Sequence, residues 1–407
     1  MAELVIPDRQ ILTPPKQSLS RDEWLLRGLV YAISIWLFVV LRFPVYSLLS
    51  KSFHDRDGNF VGVANFIEYF ATPSLVEGIT NSLFVAGLTT LISIGLALPF
   101  AFALTRTCMP CKSWLRGVAL LKLLAPSLLP AIAIRYLLGN NGYLNFLMGD
   151  HSVYGPIGIV IGLVVYTFPH ALLIITAAFS TADARLYESA VSLGASKVRI
   201  FFTVVLPGAK LGIASAIMVV FTLAMTDFGV PKVTGGDYNV LAIDVYTQII
   251  GRQNFEMGAV VATVLLIPAV LAFFVDRAVR RQHMATITTE SVPYQPKPSK
   301  VLDWVMFGFC AMVSLAVLTM IGIAVWASFL KYWPYNMEFT LRHYNFASVD
   351  DAGGYRGYVN SVKLALWTSG IGTLVIFTGA YLREKSCGFK LVRDIDHILS
   401  IMPLDVP

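Results

Sequence analysis

The chain has 407 residues, 56% of them hydrophobic and only 14% charged, and a formal net charge of +6. With a mean hydropathy of +0.68, it carries more apolar surface than a soluble core can hide. That excludes an ordinary water-soluble domain and points to a bilayer. The positive balance follows from topology and gives no support to nucleic acid as a partner.

Residues 1–26 are polar and mixed in charge, with Pro14-Pro15 and Arg21-Asp22-Glu23, and read as a cytoplasmic amino-terminal segment. The apolar run that follows is too long for a cleavable signal and should remain as an anchor. Stretches long enough to cross the hydrocarbon occur at 27–49, 80–104, 115–138, 155–179, 208–229, 257–276, 302–329 and 361–382, and a ninth begins near 392. Each is close to the ~20 residues a spanning helix needs. The runs lack the alternation of barrel strands, so the expected fold is an all-α, polytopic membrane bundle. Segments 105–122, 181–210 and 276–300 hold 13 Lys or Arg, whereas 51–80, 139–155 and 231–257 hold 4. The positive-inside rule then puts the first group, and the amino terminus, in the cytoplasm.

In the second of these basic segments, TADARLYESAVSLGASKVRIFFTVVLP at 181–207 reads as an amphipathic helix-turn-helix between two spans. Ser180-Thr181-Ala182-Asp183 reads as a capping box, so a helix should start near 181 with Leu186, Ala190 and Leu193 on one face. Gly194 is placed to end that helix in a left-handed turn, Ser196 to cap the next, and Pro207 to mark the bend into the following span. Small residues Ser189, Ala190 and Ala195 would let the turn enter a narrow groove, and Glu188 offers a charge to a partner. The alternative is an ordinary amphipathic surface helix.

Ionisable or bent positions inside spans are the default candidates for a solute pathway. Asp227 could meet an ammonium or a metal ion, or could cap a helix terminus. His170, after Pro169, could line the pathway or bond a carbonyl freed by the kink. Arg42 and Arg135 lie close enough to the outer surface to snorkel, and Gly158 and Gly162 have the small-xxx-small spacing of close helix packing. Cys108-Met-Pro-Cys111 lacks a second ligand pair, so no metal site, cofactor or catalytic residue is expected.

Asn81-Ser82 opening one span is matched by Asn360-Ser361 opening another, at a constant offset of 279 residues that persists to Cys108 and Cys387. Pro126 and Pro130 match Pro403 and Pro407, and the preceding segments end in Asn65-Phe66 and Asn345-Phe346. The expected organisation is a first half at 27–276 with six spans, a cytoplasmic linker at 277–300, and a second half from 301 to 407 that stops inside its third span. About 146 residues would be missing from a full duplication.

The run Glu188-Ser189-Ala190, Gly194, Ile200 and Leu206-Pro207 resembles the cytoplasmic signature of ATP-binding-cassette importer permeases, with Ser189 in place of the usual second alanine. Gly139-Asn140-Asn141-Gly142-Tyr143-Leu144-Asn145 and Thr226-Asp227-Phe228-Gly229-Val230-Pro231 extend the resemblance to the double-length group that imports ferric iron or 2-aminoethylphosphonate. It implies a type I importer helical bundle in the bacterial inner membrane and an ATP-binding subunit, two copies per transporter, docked on the turn. It further implies a periplasmic substrate-binding protein, with lipid and the remainder of the second half as further partners. The cargo it favours is 2-aminoethylphosphonate, with ferric iron as the alternative and polyamines left open. No Gly-Lys-Ser or Gly-Lys-Thr is present to cradle a nucleotide phosphate, so ATP would be handled elsewhere. Three competing readings remain: a secondary transporter, a membrane-tethered helix-turn-helix regulator and an inactive fragment.

Overall fold

The computed structural model describes residues 21–180, 184–283, 294, 296–346 and 354–385. The Thr181–Asp183 part of the expected capping box, the ninth span, Cys387, Pro403 and Pro407 lie outside them. By proximity the described chain divides into two units, one made of the first helix up to Phe43 with the last helix, the other running from Pro44 to Phe346.

Helix α1 (Arg21–Ser52) contains the first expected span and continues through Pro44. Its end is fastened by Asn65, whose Nδ2 donates to Ser52 O at 3.0 Å and His54 O at 2.9 Å. Phe53 and Phe66 pack beneath that clasp at 5.3 Å. Helix α2 (Ala64–Ala71) leads through an extended Thr72 to Pro73, the first residue of α3 (Pro73–Arg106). A proline suits that position because its missing N–H would have had no helical partner. At 34 residues, α3 is about 51 Å long, well beyond the ~30 Å of hydrocarbon.

The stretch expected to form one span at 115–138 is broken. Helix α4 (Lys112–Leu121), a single tight turn over Lys122–Leu124, and α5 (Leu128–Leu138) meet at 105°. Ala125 precedes Pro126 and is extended, φ −111° and ψ 142°, as the clash between a proline ring and the preceding residue requires. Helix α6 (Pro156–Ser180) runs through Pro169. After it come α7 (Ala184–Ser192), α8 (Lys197–Ile200), a widened turn over Phe201–Val205, α9 (Leu206–Gly208) and α10 (Lys210–Thr226). The chain bends by 67° between Gly208 and Lys210.

Helices α11 (Gly229–Thr234) and α12 (Leu241–Tyr246) are short and lead to α13 (Phe255–His283) and α14 (Lys300–Ser328). An ion pair of Lys51 Nζ with Glu256 Oε1 at 2.9 Å fastens the start of α13 to the end of α1. A small antiparallel hairpin, β1 (Leu330–Tyr332) and β2 (Asn336–Phe339), follows α14 and precedes α15 (Tyr355–Lys385). Phe339 of the hairpin stacks on Phe329 at the end of α14 at 5.3 Å, and His343, beyond β2, places its Nε2 2.9 Å from Leu330 O of β1.

Five helices among the described residues are long and apolar enough to cross a membrane, and the two bent pairs bring the total to seven. They are α3, α6, the Phe255–Ala272 part of α13, α14 and the Tyr355–Tyr381 part of α15. Two buried clusters hold the larger unit together. One joins the end of α3 (Phe100, Ala101) to α4, the second half of α6, α10 and Cys310 of α14. The other joins α2, the start of α3, α5, the first half of α6 and α11–α13. Between them, Ser93 and Thr167 are fully buried and share a hydrogen bond of 2.8 Å, which satisfies both hydroxyls inside the bundle.

Candidate functional site

The 184–208 turn is built almost entirely from local rules. Helix α7 ends where Gly194 takes φ +75°. Its N–H donates to Val191 O at 2.9 Å and the Ala195 N–H reaches back to Ala190 O at 3.1 Å, the paired bonds of a Schellman ending. Ser196 then starts α8, its hydroxyl accepting from the Arg199 amide at 3.3 Å.

Position in the turn sorts the motif residues. Tyr187, Ala190 and Ala195 pack against the cluster at this end of the bundle, and Ile200 is buried in it with Val205 and Ala209. Glu188, Ser189, Gly194 and Pro207 are exposed, and Leu206 is half-buried. Leu186 and Leu193 project outward, the latter 86% exposed. The expected common face of Leu186, Ala190 and Leu193 is therefore split. Ala190 turns inward with Ala195, so their small size serves close packing on the bundle itself.

A second polar group lies at the break between α4 and α5. Lys122, which falls both in the basic segment 105–122 and in the expected span 115–138, is 2% exposed. Its ammonium donates to Ala125 O at 2.9 Å and Pro126 O at 3.2 Å, and sits 5.2 Å from the centre of the Tyr166 ring. These are carbonyls that the broken helix leaves without partners, and a cation is the natural donor for them. Asp227 lies within electrostatic reach of Lys122 and takes a hydrogen bond from Ser127. Its Oδ2 accepts from the Val230 amide at 2.8 Å, so the carboxylate caps α11. His170 stands edge-on to Tyr166 at 5.7 Å, with its imidazole against that residue's backbone. The structure thus gathers the two expected pathway residues around Lys122, a lysine not singled out as a candidate for the pathway.

At the other end of the larger unit is a cavity of about 950 Å³ under the β1–β2 hairpin. Asn140, Asn141, Arg135, Lys331, Trp333 and Arg342 line it, and no carboxylate does among the described residues. Arg135 is therefore a cavity wall. The aromatic roof is fixed by Trp333 against Tyr143 at 4.3 Å and by Trp326 Nε1 donating to Tyr143 Oη at 3.0 Å.

Residues 70–286 match the family described as the binding-protein-dependent transport system inner membrane component. The chain belongs to this family. This is a family of transport components rather than of enzymes, and the several apolar helices fit its inner-membrane setting. The family member described here is 24% identical over 337 residues to the putative ferric transport system permease protein FbpB 1 of Haemophilus influenzae, covering 79% of this chain and 52% of that one. It is 29% identical over 260 residues to the spermidine/putrescine transport system permease protein PotB of the same organism, covering 60% of this chain and 91% of that one. The chain spans about half the length of the ferric relatives it matches. In fold it is similar to a chain of the bacterial alginate ABC transporter solved with an alginate pentasaccharide-bound periplasmic protein. There the TM-score is 0.51 at 18% identity, covering 67% of this chain and 98% of the other. The likeness establishes the type I importer permease fold.

Proposed function

We propose that this chain is a transmembrane permease subunit of an ATP-driven importer, with the 184–208 turn as the handle for a separate ATPase. The observation that carries this reading is the division of the turn. Leu186 and Leu193 face outward, while Ile200, Val205 and Ala209 are sunk in the cluster that also holds α3, α6 and α10. A displacement of the outer face is thereby transmitted to three spans as a rigid-body movement, since close-packed interiors do not deform continuously. In this reading Glu188, Ser189 and Leu193 touch the ATPase, Gly194 shapes the turn, and Ala190, Ile200, Leu206 and Pro207 join it to α10. Two ATPase copies, a periplasmic substrate-binding protein and a second permease half complete the assembly. The first half is 27–276, the linker 277–300 and the second half begins at 301, with the amino terminus in the cytoplasm.

For the cargo, the cavity with Arg135 and Arg342 in its wall, and no carboxylate among the described residues that line it, favours a solute carrying negative charge. Of the candidates, 2-aminoethylphosphonate has its phosphonate, and ferric iron would have to arrive with its own anion. A bare polyamine is disfavoured by the same charges. Asp227 and His170 remain the candidate contacts deeper in the bundle.

Co-expression with the ATP-binding subunit tests the coupling. The ATPase should co-purify with the intact chain and be lost with Glu188→Lys or Gly194→Asp, while both variants still insert in the membrane. Retention by both variants would overturn the reading. Uptake of labelled 2-aminoethylphosphonate, ferric iron and spermidine by the reconstituted importer decides the cargo.

A further inference from the structure

We propose that the end of the bundle carrying the 184–208 turn holds a binding pocket for a phosphate-bearing anion, formed where the end of α3, the start of α4 and the end of α6 converge. The site is independent of the ATPase reading. A cavity of about 460 Å³ opens there, with Arg106, Lys112 and Arg116 in its wall and no carboxylate among the described residues that line it. Arg106 is only 7% exposed. Its Nη2 donates to Phe179 O at 2.9 Å and its guanidinium lies 4.5 Å from the centre of the Tyr294 ring, but its buried Nε has no hydrogen-bond partner. Thr176 Oγ1, in the same wall, is buried and unpartnered as well.

Two orphaned buried polar atoms beside a cavity are costly unless something fills it, because each has given up water without gaining a partner. The chemistry of that occupant is set by what surrounds it. Arg106 and Lys112 are drawn from water with only carbonyl acceptors, Phe179 O and Thr107 O, Arg116 adds an exposed positive charge, and no acid stands among the described residues of the wall. Helix α4 adds its amino terminus, since it opens at Cys111 with φ 55° and no side-chain cap. Free amides at a helix start favour an oxyanion. A phosphate offers several acceptor oxygens on one centre, so a single group can take up Arg106 Nε, the Thr176 hydroxyl and the α4 amides together. The apolar walls Leu104 and Phe179 leave room for the glycerol portion of a lipid headgroup. Tyr294 also stands 4.5 Å from Tyr187 of α7, so an occupant would be in touch with the turn through one ring contact.

The source of the phosphate is either a phospholipid of the adjoining leaflet or a soluble compound, and two measurements separate them. The full chain, delipidated in neutral detergent, is offered phosphatidylglycerol or uncharged diacylglycerol and examined by native mass spectrometry. In parallel it is dialysed to equilibrium against labelled inorganic phosphate. Retention of phosphatidylglycerol but not diacylglycerol identifies a lipid headgroup, and retention of phosphate identifies a soluble ligand. Either signal should fall at least tenfold in the rim variant Lys112→Gln/Arg116→Gln and in the near-isosteric Thr176→Val, both eluting as the parent chain does. Retention of neither probe, or binding unchanged in both variants, would overturn the site.

Discussion

Asp303 and Cys108 lie 195 residues apart, yet the Cys108 amide donates to Asp303 Oδ1 at 2.8 Å. The other oxygen accepts from the Ser299 amide at 2.9 Å, so one carboxylate, 8% exposed, caps the start of α14 and fixes the turn that follows α3. Replacing Asp303 with Ala leaves two N–H groups without acceptors, at a cost of about 1–3 kcal/mol. The unfolding midpoint in detergent should drop, and hydrogen exchange should quicken at Cys108 and Ser299 together. Faster exchange at Ser299 alone would show that the cross-chain bond contributes nothing.

Gly194 has φ +75° and open space where a Cβ would go. Any penalty on substitution therefore comes from backbone conformation, not from crowding. Gly194→Ala should cost about 1–2 kcal/mol locally, and Gly194→Asn distinctly less, because asparagine tolerates left-handed geometry. Exchange rates of the 193–196 amides, measured without any ATPase present, should rank glycine slowest, then asparagine, then alanine. Equal rates for the two variants would show that the turn is not held by this conformation.

The ease with which this turn could be read contrasts with what lay beside it. Gly194, Ser196 and the inward period of Ile200 act within one or two turns of chain, so residue types and spacing sufficed. The small-xxx-small reading of Gly162 was equally local in signal, and a Cβ there would stand 2.5 Å from Val230 Cγ1. Most spans followed from hydropathy alone, but the break at Ala125 did not, because Lys122 and Ser127 are outnumbered by apolar neighbours and one Pro-driven extended residue leaves the window average untouched. The role of Lys122 was equally hidden. A cation counted in a basic segment gives no sign that it bonds Ala125 O and Pro126 O and sits beside Tyr166 in the field of Asp227. The Asp303 and Arg106 contacts depend on chain segments brought together from 195 and 73 residues away, for which one sequence carries no signal.

Asp244, in the segment between α10 and α13, is 5% exposed. Burial lifts its carboxyl from the usual 3.8 to about 6, against the lowering influence of the Asn239 amide and Arg252. Asn239 Nδ2 donates to Oδ1 at 2.7 Å, Tyr69 stands within electrostatic reach, and Oδ2 has no partner. The folded chain holds this proton more tightly than the unfolded chain does, so stability falls as pH rises from about 3.8 to about 6 and stays at its lower level above that. Asp244→Asn should remove a penalty of roughly 2–3 kcal/mol above pH 6 and flatten the pH dependence in that window. Parallel unfolding curves for parent and variant between pH 4 and 7 would refute the assignment.

Lys122 offers the sharpest test of the buried polar group. Its ammonium serves Ala125 O and Pro126 O and lies within the field of Asp227. Lys122→Met keeps the length of the side chain but strands both carbonyls and leaves Asp227 without its nearby cation, which should cost about 3–5 kcal/mol. Asp227→Asn alone should cost less, since a neutral oxygen still accepts from the Val230 amide and caps α11. If the two charges support each other, the double variant should be more stable than the sum of the single effects by 1 kcal/mol or more. Strict additivity would mean that Lys122 is held by its carbonyls and Asp227 by its cap, with no coupling across the break between α4 and α5.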